Sequence, residues 1–144
     1  MNIKKFIISA IIIFIVSLAW NGFVHSLILN NDEEILKSLL RPDIMDKMWL
    51  SLVLTALISI IFVFGYTKFS IKGTTWEGIM YGISFGVLAV LLVDVNQYIL
   101  YPLSLSIVIK WMIFGILEFT LYGFLVSMIY KKIFILKKRE SESQ

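Results

Sequence analysis

Seven polar side chains in this sequence are of types that could bind a ligand or move a proton, and each stands within or beside a long apolar run. They are Asn21, His25, Asp94, Gln97, Tyr98, Lys110 and Glu118. Hydrocarbon penalises ionisable groups, so side chains of this kind turn inwards and find partners when their helix crosses a bilayer. The set therefore marks a candidate polar pocket between helices.

The spacing around Asp94 favours a pocket close to one end of a helix bundle. Asp94 stands about seven residues before the end of its apolar segment, or roughly 10 Å deep at 1.5 Å per residue. Gln97 and Tyr98 project within about 60° of Asp94 at 100° per residue. Lys110 enters the next apolar segment at a similar depth, and we expect it to pair with Asp94.

The first apolar segment brings Asn21 and His25, one turn apart, to the same end of the bundle. Two interpretations of the pocket remain open: a site for a cation, proton or small polar solute, or a clamp of interhelical hydrogen bonds without a ligand. A lone histidine cannot form a multi-histidine metal site within one chain, although two copies in a dimer could present a pair of imidazoles to a metal or haem.

Glu118 forms a separate case, because it lies about twelve residues into the last apolar segment, near the middle of a bilayer. Tyr122 follows one turn later on nearly the same face, and Trp111 lies two turns before. Hydrocarbon disfavours the charged form of a carboxyl group. Glu118 is therefore either a neutral, hydrogen-bonded carboxyl or part of a proton or cation relay.

The composition explains why these few residues stand out. Of the 144 residues, 59% are hydrophobic, and the mean hydropathy is +0.90. The apolar residues form four blocks, each long enough for about 30 Å of hydrocarbon. We predict a single all-α domain, an integral membrane four-helix bundle with spans at about 6–29, 48–69, 77–101 and 105–130 and a polar tail over 131–144.

Several functional classes are disfavoured by what the sequence contains. It has 0 cysteines and 1 histidine, which excludes disulfides, thiolate chemistry and thiolate metal sites. No nucleophile stands with a base, and neither a metal-ligand motif nor a phosphate-binding loop is present. We therefore predict a protein that is not an enzyme, with no catalytic residues, metal or cofactor.

The basic residues are divided unequally between the two ends of the predicted spans, and this division predicts orientation. One side carries Lys4, Lys5, Lys68, Lys72, Lys131, Lys132, Lys137, Lys138 and Arg139. The other carries Lys37, Arg41, Lys47 and Lys110. The positive-inside rule then places both termini in the cytoplasm.

The net charge is +3 and the isoelectric point is near 9.1. Because the basic residues are distributed by membrane side, we discount nucleic acid as a partner. The basic segment after the last span suits an anionic lipid surface.

Lys4 and Lys5 before the apolar run from Phe6 also resemble a signal peptide with a small-residue site ending at Ala19. The apolar run continues past Ala19, which favours a retained first helix.

The connection between the first two spans is predicted to hold a short amphipathic helix on the membrane surface. It begins at Asn31 or Asp32 and stops at Arg41-Pro42. Asp43 can then cap the second span.

Small residues at four-residue spacing predict where the helices approach closely. Gly78, Gly82 and Gly86 leave a groove along the third span, to be filled by an internal helix or by a second copy of the chain. On the second span, small hydroxyl residues recur every fourth position from Ser51 to Ser59. They favour a packing face, with a polar lining as the alternative.

Spaced fragments along most of the chain resemble a group of small four-helix bacterial inner-membrane proteins with no known activity. The fragments are Phe23-Val24-His25, Leu27 to Leu29, Arg41-Pro42, Met45, Glu77-Gly78, Tyr81-Gly82, Gly86, Tyr101-Pro102, Trp111, Gly115, Gly123 and Tyr130. The resemblance implies the four-span fold and a bacterial inner-membrane location, and it implies nothing about mechanism.

Two functions compete on these observations. The first is a small membrane protein whose outward-facing polar pocket binds or translocates a cation, proton or small polar solute. The second is a non-catalytic accessory or assembly subunit of a larger membrane complex, or a homo-oligomer, formed through the glycine groove. Small multidrug exporters need a carboxylate in the first helix, and none stands between Phe6 and Leu29.

Overall fold

In a computed structural model of the chain, the backbone is described for residues 2–142, and the side chains for all of these except Glu33 and residues 132–142. Every regular element within this part is helical. Four helices are long and apolar enough to cross a membrane: Ile3–Ile28, Ile44–Phe69, Thr75–Leu100 and Leu105–Lys131. The expected all-helical fold with four long apolar segments is confirmed.

The first span consists of helix α1 (Ile3–Phe23) and a π-helical turn (Val24–Ile28) that continues it. Asn2 caps α1 by accepting a hydrogen bond of 3.2 Å from the Lys5 backbone N–H. A 3₁₀ turn (Asn30–Asp32) leads into the short helix α2 (Glu33–Leu39), close to the position predicted from the sequence.

The second span is helix α3 (Ile44–Phe69), which is followed by a tight connection to helix α4 (Thr75–Ala89). Gly73 has a φ of 62° in this connection, a conformation that glycine adopts without strain. The Thr74 side chain accepts from the Glu77 backbone N–H at 3.2 Å, and the Glu77 carboxylate accepts from the Lys72 backbone N–H at 2.9 Å. The first bond caps the start of α4, and the second ties the preceding connection to it.

A second π-helical turn (Val90–Asp94) joins α4 to helix α5 (Val95–Leu100), which completes the third span. The chain then turns at Pro102, and helix α6 (Leu105–Glu142) begins. The sequence predicted a polar tail from position 131, but the helix continues past it. Residues 131–142 favour this continuation, because they are mostly good helix formers and include neither glycine nor proline. Residues 143–144 of that tail lie outside the described part.

The three glycines of α4 lie against α6, and this is the closest packing in the bundle. A Cβ built on Gly82 would overlap the backbone carbonyl of Phe119, and one on Gly78 would overlap the carbonyl of Gly123. A Cβ on Gly86 would come within 3.0 Å of the Ile116 Cα. The groove is therefore filled by a helix of the same chain.

Aromatic side chains join α3 to this pair of helices. The Phe62 ring of α3 is fully buried and lies 4.9 Å from the Tyr81 ring and 5.2 Å from the Phe85 ring, centroid to centroid. It also contacts the Tyr122 ring of α6 at 5.8 Å. Tyr81 donates a hydrogen bond of 2.9 Å to the Phe62 carbonyl. Because α1 packs against both α3 and α6, the four long helices enclose a common interior.

Candidate functional site

Glu118 of α6 is the centre of a polar cluster inside the bundle. Its Oε1 atom accepts hydrogen bonds from Ser17 Oγ at 3.3 Å, from Asn21 Nδ2 at 3.1 Å and from the Tyr122 hydroxyl. Among the described side chains, none donates to Oε2. The cluster therefore holds the carboxyl group in one orientation and leaves one oxygen for a proton or a ligand.

The membership of this cluster differs from the one predicted. Asn21 was expected beside His25 and Asp94, with Glu118 as a separate case, but its amide reaches Glu118. Ser17 was missed, although it stands one turn before Asn21 on the same face of α1 and is buried. Two polar residues four positions apart on an otherwise apolar helix were the signal that could have identified it.

A cavity of about 380 Å³ adjoins the cluster, and we call it the inner cavity. Its described lining includes Ser17, Trp20, Asn21, His25, Thr55, Ser59, Asp94, Trp111, Phe114, Gly115, Glu118, Phe119 and Tyr122. Four of the seven candidate residues, Asn21, His25, Asp94 and Glu118, thus line one cavity, in which Asp94 and Glu118 are half-buried and Asn21 and His25 are exposed. Neither lysine nor arginine is among the residues described as lining it.

Asp94 lines the inner cavity, and its side chain lies next to α6. The side chain is half-buried, and a Cβ built on Gly115 would lie 4.0 Å from its Oδ2 atom. That distance is ordinary van der Waals contact, so the Asp94 carboxylate lies beside α6 at Gly115. None of the described side chains donates a hydrogen bond to Asp94, so its oxygens remain available in the cavity.

The two π-helical turns lie beside the inner cavity and carry His25 and Asp94. Both positions line the cavity, His25 within the turn Val24–Ile28 and Asp94 at the end of the turn Val90–Asp94. A π turn inserts an extra residue into the helical repeat and so changes the direction in which later side chains project. No periodicity argument based on 100° per residue could have predicted these directions.

A second cavity of about 450 Å³ lies towards α2, and we call it the outer cavity. It is lined by Lys37, Gln97 and Tyr101, and it shares His25, Leu29 and Trp111 with the inner cavity. Gln97 therefore lines the outer cavity, whereas Asn21, Asp94 and Glu118 line only the inner one. His25 and Trp111 contribute to the lining of both cavities.

Lys110 does not pair with Asp94, and this expectation is wrong. Its Nζ atom lies 2.6 Å from Asp32 Oδ2 in the turn before α2. The long lysine side chain can carry its charge towards the end of the bundle, where the turn before α2 supplies the Asp32 carboxylate. Tyr98 also lies apart: its side chain is 44% exposed, and it lines neither cavity.

The hydroxyl residues of α3 contribute to the inner cavity through Thr55 and Ser59. Each donates to the backbone of its own helix, Thr55 Oγ1 to the Ser51 carbonyl at 2.9 Å and Ser59 Oγ to the Thr55 carbonyl at 2.7 Å. Ser51 itself is exposed. The hydroxyl oxygens of Thr55 and Ser59 keep free lone pairs, which can accept hydrogen bonds from a ligand.

The inner cavity combines two carboxyl groups, Asp94 and Glu118, with a mixed aromatic and aliphatic lining. Among the described residues, no group of three or more His, Asp or Glu side chains could hold a metal ion. A single carboxylate can bind a proton or an amine, because neither needs a cage of several ligands.

No protein-family model matches the chain, and comparisons with curated proteins and with solved structures also find no match. The four candidate spans fit a multi-pass membrane protein, and the inner cavity with its two carboxyl groups is its candidate functional site.

Proposed function

We propose that the chain is a multi-pass protein of the bacterial inner membrane that binds a proton or another cation in the inner cavity and translocates it. Both termini lie in the cytoplasm in this proposal, and the outer cavity opens towards the opposite side. Glu118 is the deep binding group, Asp94 is the second carboxylate, and His25 stands at the junction through which the cation passes.

Support for membrane insertion comes from the outward faces of the four candidate spans. Large apolar side chains are exposed along them, including Ile11 at 52%, Ile61 at 57% and Ile113 at 52%. Water would make such surfaces unfavourable, whereas lipid solvates them without cost. Within the described spans, four serines are buried: Ser9, Ser17, Ser59 and Ser127.

Support for the orientation comes from the end of the bundle opposite the outer cavity. Lys5 Nζ donates a hydrogen bond of 3.1 Å to the Ile129 carbonyl, which brings the start of α1 and the later part of α6 to the same end. Lys68, Lys72 and Lys131 belong to this end as well. A concentration of lysine at one side is typical of the cytoplasmic face. The proposed contact with anionic lipid concerns residues 132–139, whose side chains lie outside the described part.

The observation that carries the proposed function is the environment of Glu118. Three donors on Oε1 hold the carboxyl group still, while Oε2 is free of described donors beside a 380 Å³ cavity. A purely structural clamp would be expected to use both oxygens, because an unpaired polar atom in an apolar interior is unfavourable. An oxygen left open beside a cavity is suited to reversible binding of a proton or cation.

The alternative, an accessory subunit held in a larger complex through the glycine groove, loses its main support. The groove of Gly78, Gly82 and Gly86 is occupied by α6 of the same chain. A second copy or a foreign helix cannot enter it without displacing α6.

Charge movement in proteoliposomes tests the proposed function. The full chain is reconstituted and adsorbed to a solid-supported membrane, and jumps of proton, sodium, potassium and a quaternary ammonium ion are applied in turn. We expect a current from the unmodified protein for at least one of these ions. Glu118→Gln should reduce it to the level of empty liposomes, because an amide neither binds a proton nor neutralises a cation.

Matched controls use carboxylates remote from the cavity. Glu34→Gln and Asp46→Asn change exposed side chains and should leave the current unchanged, whereas Asp94→Asn should reduce it. Helix content by circular dichroism checks that each variant is folded. If no ion gives a current with the unmodified chain, or if Glu118→Gln behaves like Glu34→Gln, the proposed function is wrong.

A further inference from the structure

We propose that the ligand of the inner cavity is a hydrophobic organic cation, an amine or quaternary ammonium with aromatic or alkyl substituents, whose charge lies between the Asp94 carboxylate and the Trp111 indole. This inference rests on the proposed function, because it names the class of cation that the same cavity takes.

The first step of the argument concerns charge. Asp94 lines the cavity without a described hydrogen-bond donor, and the lysine nearest in sequence beyond it, Lys110, is engaged by Asp32 at 2.6 Å. An ionised carboxylate in a half-buried position needs a counter-charge. Since neither lysine nor arginine is described in the lining of the inner cavity, a cationic ligand would supply it.

The second step concerns the aromatic walls. Trp20 of α1 and Trp111 and Phe114 of α6 line the cavity, and the Trp20 and Phe114 rings are tilted by 49° at a centroid distance of 6.4 Å. Trp111 stands one turn before Gly115, the residue of α6 beside which the Asp94 carboxylate lies. Indole faces attract ammonium groups, most strongly where water is excluded.

The third step concerns size. A volume of about 380 Å³ lies within the range of roughly 300–1,000 Å³ that holds small organic ligands, and it is far larger than a single inorganic ion requires. The outer cavity, whose lining shares His25 and Trp111 with the inner one, lies beside it.

Equilibrium binding with a permanently charged probe tests the proposal. Tritiated phenyltrimethylammonium is added to the full-length protein in lipid nanodiscs, and bound ligand is measured by scintillation proximity. Its neutral isostere, tert-butylbenzene, serves as an unlabelled competitor. We expect saturable binding of the ammonium ion and competition at least about tenfold weaker by the isostere, because only the charged compound satisfies Asp94.

The variants separate the two contacts. Asp94→Asn should weaken binding by about tenfold or more, and Trp111→Leu by about threefold. The matched controls are Asp46→Asn and Trp49→Leu, which alter exposed side chains outside the cavity and should bind normally. Conservative replacement of Trp111 by Phe should restore part of the affinity, which a general packing defect would not allow.

Three results would overturn the assignment: no saturable binding, equal competition by the neutral isostere, or equal losses in Trp111→Leu and Trp49→Leu. If such a result accompanies a proton, sodium or potassium current that depends on Glu118, the proposed function stands and only the organic-cation class is wrong. If both measurements are negative, both proposals fail.

Discussion

At the scale of single residues, the Glu118 cluster shows how a carboxyl group is made tolerable inside an apolar bundle. Three neutral donors converge on one oxygen, and together they offset part of the cost of removing the group from water. The donors come from α1 and from α6 itself, so the cluster also ties these helices together. Glu118 therefore links the stability of the bundle to the proposed ligand binding.

Removing one donor should reveal that link. Tyr122→Phe keeps the buried ring and deletes only the hydroxyl that donates to Glu118, so we expect a loss of about 1–3 kcal/mol in the free energy of unfolding. Tyr98→Phe is the matched control, since that side chain is 44% exposed and should change stability little. Thermal unfolding in detergent measures both, and equal midpoints would show that the hydroxyl contributes nothing.

Asp43 gives a prediction outside the spans. Lys47 Nζ lies 2.7 Å from its Oδ2 and Arg41 Nε lies 2.5 Å from its Oδ1. These two cations hold the pKa of the Asp43 carboxyl below its ordinary value of 3.8, and Lys47 makes the larger contribution. The stabilisation from this pair is therefore present above the ordinary value and is lost as the pH falls through the lowered pKa.

Carboxyl ¹³C NMR on the protein in detergent can follow that titration. We expect the Asp43 midpoint below 3.8 and a rise towards that value in Lys47→Gln. A midpoint at or above the ordinary value in the unmodified chain would show that the ion pairs do not persist in solution. Asp43 also illustrates a limit of sequence reasoning, because it was predicted as a helix cap and its side chain makes no capping bond.

At the scale of elements, the contact between α4 and α6 sets the geometry of the site. The glycines of α4 allow backbone contact with α6, and this fixes the rotation of both helices about their axes. Glu118 lies on α6, and Asp94 ends the π turn that follows α4. The separation of the two carboxyl groups across the cavity therefore depends on the glycine contacts between α4 and α6.

Gly82→Ala tests this contact. The new Cβ would overlap the Phe119 carbonyl, and we expect a loss of about 1–3 kcal/mol in unfolding free energy together with weaker binding in the cavity. Gly22→Ala is the control on α1, where nothing lies within 4 Å of the added Cβ, and it should stabilise the helix by up to about 1 kcal/mol. Similar thermal midpoints for the two variants would contradict the packing described for α4 and α6.

The π-helical turns are the elements that sequence reasoning could not supply. Apolar runs and the glycine spacing were sufficient to predict the spans and the groove, because both depend on local composition and period. The π turns at Val24–Ile28 and Val90–Asp94 carry no turn residue or composition signal. They change the directions of His25 and Asp94, so the side-chain directions within the pocket could not be derived from regular helices.

At the scale of the whole molecule, the proposed orientation determines which solution the outer cavity faces. The chain contains 0 cysteines, so single cysteines can be introduced without background labelling. Glu34→Cys lies in α2, and Lys4→Cys lies at the opposite end of the bundle; both native side chains are exposed. In spheroplasts, an impermeant maleimide should label Glu34→Cys and should label Lys4→Cys only after the membrane is opened.

The reverse labelling pattern would place the outer cavity on the cytoplasmic side and invert the proposed direction of entry. Equal labelling of both positions in intact spheroplasts would contradict a membrane-spanning arrangement in which the two ends face different solutions. Labelling is measured by gel shift, which needs no functional assay. The orientation result therefore does not depend on the identity of the ligand.

The sequence by itself determined that the chain forms four long apolar helices and that several polar residues gather towards one end, because hydrophobic length and depth along a helix are local properties. Only the tertiary structure decided which polar groups meet: Asn21 with Glu118, and Lys110 with Asp32 rather than Asp94. Partner choice depends on helix rotation and register. These follow from glycine contacts, aromatic packing and π turns that join residues far apart in the chain.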